Sequence, residues 1–540
     1  MIQIDRRAMI QTGMFGLGSL MLPGGRLAAQ ALLGLTGFTH DVASGEPAQD
    51  SVLLWTRFKP QTGGPARVAA EISLTTDFAR PVGGAAMTTG PWRDHTVKLT
   101  IDGLQPGTRY FYRFIAPDGA ISPIGRTKTL PAGKVGAFRL ATFSCSNIGY
   151  GELNAYGHAA ARDDVDAVLH LGDYFYEYGR GGYDLGPEFS ARIFPAGELL
   201  NLVDYRLRYA AYRTDPQLLA LHRAHPWLAS TDDHEVSNDS WEGGAQNHQP
   251  DEGDFTMRKL AAIQAWHEWL PVGEAPWKTY QIGDLATYYR TNTREIARSR
   301  QDDYKDIERG NDIPKALAEF RDGPWRDAAR TMFGTEQESW LSHAFKRDTA
   351  TWQLLGVGTN VGYNAPTDAL MALMPVDASE RGRSYIREGI AAGKAGLPYN
   401  LDNWGGYPAA KARLLGAAQA ADSNLCVLTG DSHNAWAFDL KNDGRAAGVE
   451  FGGTSVTSSG MEQSFKGVDP ATVQRTILAG STAELRWCDT SNRGYMHTTV
   501  TAEAVTNEYV FMDTVKRVSL DTKPSHRVGV RRGRNVLDTV

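Results

Sequence analysis

The chain is short of cysteine, of long apolar runs and of net positive charge, and each shortage removes a class of protein. Three cysteines in 540 residues, Cys145, Cys426 and Cys488, cannot supply a disulfide framework, and at most one pair can close. No run of about 18 apolar residues is present, so no transmembrane anchor is expected. A formal net charge of -6 without a long Lys/Arg tract offers no basic face for counterion release, which argues against nucleic acid as a stable partner. What is there is globular: hydrophobic residues make up 42% and charged residues 22%, close to ordinary usage. A chain of this length exceeds one ordinary core and predicts two domains or more.

The first 31 residues read as a targeting segment. Arg6 and Arg7 precede a modest apolar stretch over 9–22, then Pro23, two glycines and the A-x-A triplet Ala29-Gln30-Ala31. The paired arginines predict a twin-arginine signal peptide over 1–31, with the twin-arginine export machinery as partner and a periplasmic or secreted mature protein.

Residues 32–133 carry short β-rich runs (SVLLWTRF, RVAAEISL, HTVKLTIDGL, RYFYRFIA) between Gly, Pro and Asp turns, predicting an antiparallel, fibronectin/Ig-like β-sandwich domain. Within it, LQPGTRYFYR resembles the turn-plus-tyrosine segment of fibronectin type III-like modules. The Pro/Gly segment LPAGKVG marks a boundary, beyond which residues 134–540 alternate strand runs with helical stretches such as 157–164 and 205–212, the pattern of α/β layers. Residues 298–347 are charged and helix-like and are expected to form a helical insertion.

Five distant segments share one design, an apolar run ending in metal-seeking side chains. They are 138–146 (FRLATFSCS), 167–177 (AVLHLGDYFYE), 227–236 (WLASTDDHEV), 352–360 (WQLLGVGTN) and 425–433 (LCVLTGDSH). In open α/β sheets ligands gather beyond the carboxyl ends of buried strands, so Cys145, Asp173, Tyr176, Asp233, His234, Asp431 and His433 are expected to converge. Such a mixture of soft and hard donors suits one transition metal and one oxygen-loving cation, which reads as a binuclear metallohydrolase. Asp173, following Leu171-Gly172, is the expected bridge. Asp431 and His433 alternate along an extended segment and face the same side. Asp233 is read as a ligand of the harder cation and His234 as an unligated general acid, with Asp232 and Glu235 orienting them. Asn238 is a neutral oxygen ligand or a turn former.

These motifs carry a resemblance. The runs VASGEPAQDSVLLWTR, FSCSN, GDYFYE, YRLRYAAYRTDPQLLALHRAHPWLASTDDHEV, WGGYPAAKARL and GDSHNAW, in this order, resemble the PhoD-like alkaline phosphatases, within the metallophosphoesterase group that includes the purple acid phosphatases. The resemblance implies an α/β (α+β layered) metallophosphoesterase sandwich. It implies Fe3+ on Cys145, Asp173, Tyr176 and His433, and Ca2+ on Asp173, Asp233 and Asp431, with room for a second calcium. The implied function is extracytoplasmic hydrolysis of phosphate esters by metal-activated hydroxide, on a small-molecule phosphate ester or a phospholipid or polymer phosphodiester. A phospholipase D-like phosphodiesterase on the same site is the alternative, with a non-catalytic binding protein holding a structural metal behind it. Arg206, Arg208 or Arg213 would contact phosphate oxygens, and Asn360 stands where related enzymes have another ligand strand. The chain departs from the family in having Thr231 where Trp is common before the paired aspartates, and S-N-D over 237–239 rather than an N-N pair.

Overall fold

The computed structural model describes residues 34–307, 312–482 and 484–539; the targeting segment read over 1–31 lies outside them. Two sheets stack face to face. The larger has ten strands, in the order Leu537–Thr539, His526–Arg531, Ala504–Phe511, Gly494–Thr501, Ala137–Phe143, Ala167–His170, Pro226–Ala229, Val42–Gly45, Val52–Arg57 and Thr96–Ile101. The smaller runs Lys278–Ile282, Ala286–Arg290, Trp352–Val357, Leu425–Thr429, Arg445–Gly452, Ala435–Asn442 and Leu485–Asp489. The middle strands of each are parallel. Alternation along these strands divides the side chains between two layers. Leu140, Leu169 and Leu228 meet Leu354 and Leu428 between the sheets, whereas Ala141, Phe143 and Val168 on one side and Leu355 and Val427 on the other turn outward under helices.

The helices follow from local signals. Leu202–Tyr212 starts at Asn201, whose side chain accepts from the backbone of Val203 and Asp204 while Asp204 reaches back in a capping box. Residues 298–347 contain the helices Tyr304–Ile307, Ile313–Asp322 and Gly334–Arg347 and no strand among the described residues.

The N-terminal region forms a sandwich with a difference. A four-stranded antiparallel sheet, Gly83–Thr89, Ala66–Ser73, Arg109–Ile115 and Gly125–Lys128, packs Val68, Ile72 and Phe114 on Val42, Leu54 and Val97. The Gln105 N–H donates to Tyr110 Oη at 2.8 Å, closing the LQPGTRY turn. The second layer, however, is not a separate sheet. Val42–Gly45 pairs in parallel with Pro226–Ala229, so this region's other strands extend the ten-stranded sheet. Gly45 permits the approach: a Cβ there would lie 2.1 Å from Pro271 O. The shift near residue 133 marks a change of composition, not a break in the sheet.

The residue after that strand ties the layers together. Glu46 accepts from Lys278 Nζ (2.8 Å), Tyr280 Oη (2.9 Å) and the buried Arg290 guanidinium. Burial pushes its carboxyl up, but Arg290 and Lys278 outweigh burial and hold it down at about 2. Glu46→Ala strands Arg290 as an uncompensated buried charge, and the expected loss of unfolding free energy in denaturant titration is about 3–5 kcal/mol. A loss below about 1 kcal/mol, the surface-pair range, would contradict this account. Because the folded carboxyl ionises below its ordinary 4.5, its contribution is complete above that value and is lost as pH falls from 4.5 toward 2.

Candidate metal centre

The loops that follow the parallel strands of both sheets bring their polar residues to one place. Three overlapping sets of side chains have ligand atoms within 4.8 Å of one another: Cys145, Asp173 and His433; Asp173, Asp233 and His234; and Asp173, Asp232, Asp233 and Asp431. Asp173 belongs to all three. Cys145, Asp173, Asp431 and His433 each have φ between 55° and 62°, a left-handed conformation that non-glycine residues adopt at a cost and that clusters at functional sites. Gly172, with φ 105°, lets the loops touch, since a Cβ on it would lie 2.4 Å from Asp232 Cβ.

On one side of Asp173 the donors are soft and aromatic. Cys145 Sγ lies 3.3 Å and Tyr176 Oη 3.4 Å from Asp173 Oδ2. Tyr176 Oη is also 2.9 Å from His433 Nε2. His433 Nδ1 faces the Ser459 carbonyl at 2.8 Å, so Nδ1 carries the ring proton and Nε2 accepts from the phenol. Ser458 Oγ donates to Tyr176 Oη at 2.8 Å. Burial raises the Cys145 thiol and the Tyr176 phenol well above their ordinary values and lowers His433 to about 3.

On the other side the donors are carboxylates with one imidazole. Asp233 Oδ2 accepts the Asp239 N–H at 2.6 Å. His234 Nδ1 lies 2.6 Å from Glu177 Oε2, and His234 shares a donor set with Asp173 and Asp233. Burial opposes charging His234, yet Asp233 and Glu177 outweigh it and hold the imidazolium well above the ordinary histidine range. Burial drives Asp173 and Asp431 strongly upward, with Asp233 adding like charge to both. These carboxyls cannot all ionise together unless positive charge joins them.

The remaining sequence candidates fall in different places. Glu235 accepts the backbone N–H groups of Asp232 (2.7 Å), Tyr174 (2.7 Å) and Asp173 (3.0 Å), fixing both aspartate loops. Asn238 donates its N–H to Glu177 and its amide to Gln246; its neighbour Asp239 is the acid that senses Asp402 and Asp233 and, mainly through burial, is raised to about 8. Asn360 directs its amide to Thr429 and Glu450. None of the three arginines is brought to the cluster. Arg206 makes a bidentate pair with Glu268. Arg208 clamps the carbonyls of Tyr176, Tyr178 and Phe194, and Arg213 lies over Trp55 and donates to His40 O.

Four contributors escaped the sequence reading. Glu177 holds His234, although it sits in the same GDYFYE run as Tyr176. Arg294 bridges Asp232 (2.7 Å) and Asp402 (2.8 Å), and Arg298 pairs with Asp402 at 2.6 Å. These groups lie in loops without periodicity. Only their charge at buried positions marks them, and burial is not visible in a sequence.

The donor set fits metal ions. Asp173 Oδ1 and Asp233 Oδ1 are buried and have no hydrogen-bond partner; Arg294 approaches Asp233 Oδ1 at 3.8 Å, but Asp173 Oδ1 is left in a costly arrangement for a carboxylate unless a cation meets it. Thiol, phenol, imidazole and a shared carboxylate lie on one side, and carboxylates with the His234 imidazole on the other.

Comparison with known proteins agrees with this geometry. The sequence profile of the PhoD-like phosphatase family matches residues 140–509, and that of the PhoD-like phosphatase N-terminal domain matches residues 26–131. Alkaline phosphatase D of Bacillus subtilis (strain 168) is 32% identical over 522 residues, covering 92% of this chain and 80% of that protein. The solved structure of PhoD superposes with a TM-score of 0.76 at 29% identity, over 93% of this chain and 92% of that one. A purple acid phosphatase from yellow lupin seeds shares the fold, with a TM-score of 0.53 at 14% identity over 90% of this chain and 73% of that one. With the metal-ligand loops, the layered sandwich and these matches in agreement, the chain belongs to the PhoD-like phosphatase family.

Proposed function

We propose that this protein hydrolyses phosphate esters at a two-cation centre built on Asp173. The observation that carries the reading is the membership of Asp173 in all three donor sets. Cys145, Asp173, Tyr176 and His433 would hold Fe3+, because thiolate and phenolate favour a ferric ion. Asp173, Asp233 and Asp431 would hold Ca2+, a hard cation that prefers carboxylate oxygens. When bound, the two cations supply Lewis acidity toward phosphoryl oxygens and make water acidic enough to act as nucleophile.

The chain's own residues do the rest. Glu177 fixes the His234 ring through Nδ1, so that Nε2 presents its proton to the departing alkoxide. Tyr176 packs on the His234 ring at 4.1 Å and Tyr178 at 5.6 Å, restricting water around that proton. Arg294, locked between Asp232 and Asp402, keeps the second aspartate loop in place. The substrate would be a small-molecule phosphate ester or a phosphodiester, met outside the cytoplasm if residues 1–31 direct export. Assays on a monoester, a bis-ester and phosphatidylcholine separate phosphomonoesterase from phosphodiesterase and phospholipase D-like action.

The test is metal analysis joined to spectroscopy. Stoichiometric iron is expected together with a visible charge-transfer band that shifts or disappears in Tyr176→Phe and in Cys145→Ser. A band unchanged in both variants would remove those residues from the iron. Chelation of calcium is expected to abolish hydrolysis while the far-UV circular dichroism persists, and full activity after verified depletion would overturn the calcium assignment.

A further inference from the structure

The cluster around Asp173 meets solvent along Asp431, Ser432 and His433, which are half-buried, whereas Cys145, Asp173 and Asp233 are buried. Two more half-buried side chains, Tyr178 and Tyr183, stand beside these residues. Tyr183 stacks on the His433 ring at 6.3 Å with 22° between the planes, and its Oη lies 3.3 Å from His433 Nδ1. Tyr178 lies 5.6 Å from the His234 ring. One tyrosine ring therefore flanks the histidine on each side of Asp173. Neither ring packs into a hydrophobic core among the described residues, so core packing does not account for them.

Both rings come from one short run, YGRGGYD over 178–184, and the run is tied down at both tyrosines. Arg208 Nη2 donates to Tyr178 O at 3.0 Å, and the Asn147 amide, two residues beyond Cys145, donates to Tyr183 O at 3.0 Å. Between them Gly181 turns the chain with φ 81°, a conformation open to a residue without Cβ. The Gly181 N–H donates to Asp184 Oδ2 at 2.6 Å. The turn sets the two rings 5.8 Å apart with their planes at 63°, so they meet as a corner rather than a flat pair. Tyr150 backs this corner, its ring 4.8 Å from that of Tyr183.

We propose that the corner formed by Tyr178 and Tyr183 is the leaving-group subsite, and that it selects phosphate esters whose leaving alcohol carries a planar aromatic ring on a short spacer. The subsite rests on the phosphatase reading above: the leaving oxygen takes its proton from His234, and the half-buried ring beside His234 is Tyr178. A planar ring stacked on one tyrosine of the corner meets the other edge-on, the two arrangements that aromatic pairs prefer. A saturated group of equal size fills the same corner and gains neither.

The experiment compares 2-phenylethyl phosphate with 2-cyclohexylethyl phosphate. Both release a primary alkoxide, so both need the His234 proton alike, and the two leaving groups differ in having a planar aromatic or a puckered saturated ring. The metal-loaded native protein is expected to favour the phenyl ester in kcat/KM by about three- to tenfold, the worth of an aromatic pair beyond its buried area. Tyr178→Leu is expected to bring this ratio close to unity, and Tyr178→Phe to preserve it, because the ring and not the hydroxyl makes the contact. Tyr183→Leu is expected to lower the ratio as well, with elemental analysis reporting any metal lost through its contact with His433. Trp92→Leu, an exposed aromatic outside the loop, should leave the ratio unaltered. A native ratio close to unity, or a native-like ratio in both Tyr178→Leu and Tyr183→Leu, overturns the subsite while leaving the phosphatase reading intact. Failure of the metal-loaded native protein to hydrolyse either ester overturns both.

Discussion

Asp173→Asn is expected to remove hydrolysis almost entirely, while Asp232→Asn, one contact further out, is expected to leave a measurable enzyme. Asp173 is the carboxylate common to every donor set, so its loss withdraws charge from both proposed cation positions at once. One of its oxygens lacks any hydrogen-bond partner and the other faces Cys145 and Tyr176; an amide there would bring N–H groups where a cation belongs. Asp232, by contrast, directs both oxygens to Arg294. Its neutral variant still accepts one hydrogen bond, and Arg294 keeps Asp402 as counter-charge. Groups that orient ligands cost about 10- to 100-fold when removed, and the shared ligand should cost about tenfold to a hundredfold more than that. Metal content by elemental analysis should fall in Asp173→Asn and hold in Asp232→Asn. Equal, small losses in the two variants would show that the bridge lies elsewhere.

The difference between these two aspartates also shows what a sequence can and cannot disclose. Strand-end donors were legible because the signal is local: an apolar run, then Gly172-Asp173 or Gly430-Asp431, and the parallel register of the two sheets carries such ends to one place. The turn closed by Tyr110 was legible for the same reason. What could not be read was pairing across long separations. Glu177 and His234 lie 57 residues apart, and Arg294 and Asp402 lie 108 apart. The arginines at 206, 208 and 213 are candidates for phosphate contact by sequence, yet Arg206 is taken by Glu268, 62 residues on. The merging of the N-terminal strands into the ten-stranded sheet has the same origin. Val42–Gly45 announces a strand by composition, but its parallel partner Pro226–Ala229 is set by packing at Gly45 rather than by any pattern in either run.

His234→Ala is expected to slow esters with poor leaving groups by about 10²- to 10⁴-fold, the usual worth of general acid catalysis, and to slow activated aryl esters far less. An alkoxide must be protonated as it departs, whereas a nitrophenolate leaves without help, so the gap between the two ester classes isolates proton donation from any general damage. The ring itself is held in place. Glu177 fixes Nδ1 at 2.6 Å and is in turn held by the Asn238 N–H and the Asn247 amide, both at 2.8 Å, so the ring cannot swing away. The same geometry sets the rival outcome, because His234 shares a donor set with Asp173 and Asp233. If His234 were a ligand, its removal would release metal and slow both ester classes alike, since each needs the same cations. Glu177→Gln separates the two cases further. An amide can still hold the ring but no longer favours its charged form, so an acid should lose rate selectively on poor leaving groups at unchanged metal content, whereas a ligand should show weakened metal binding and no dependence on the leaving group.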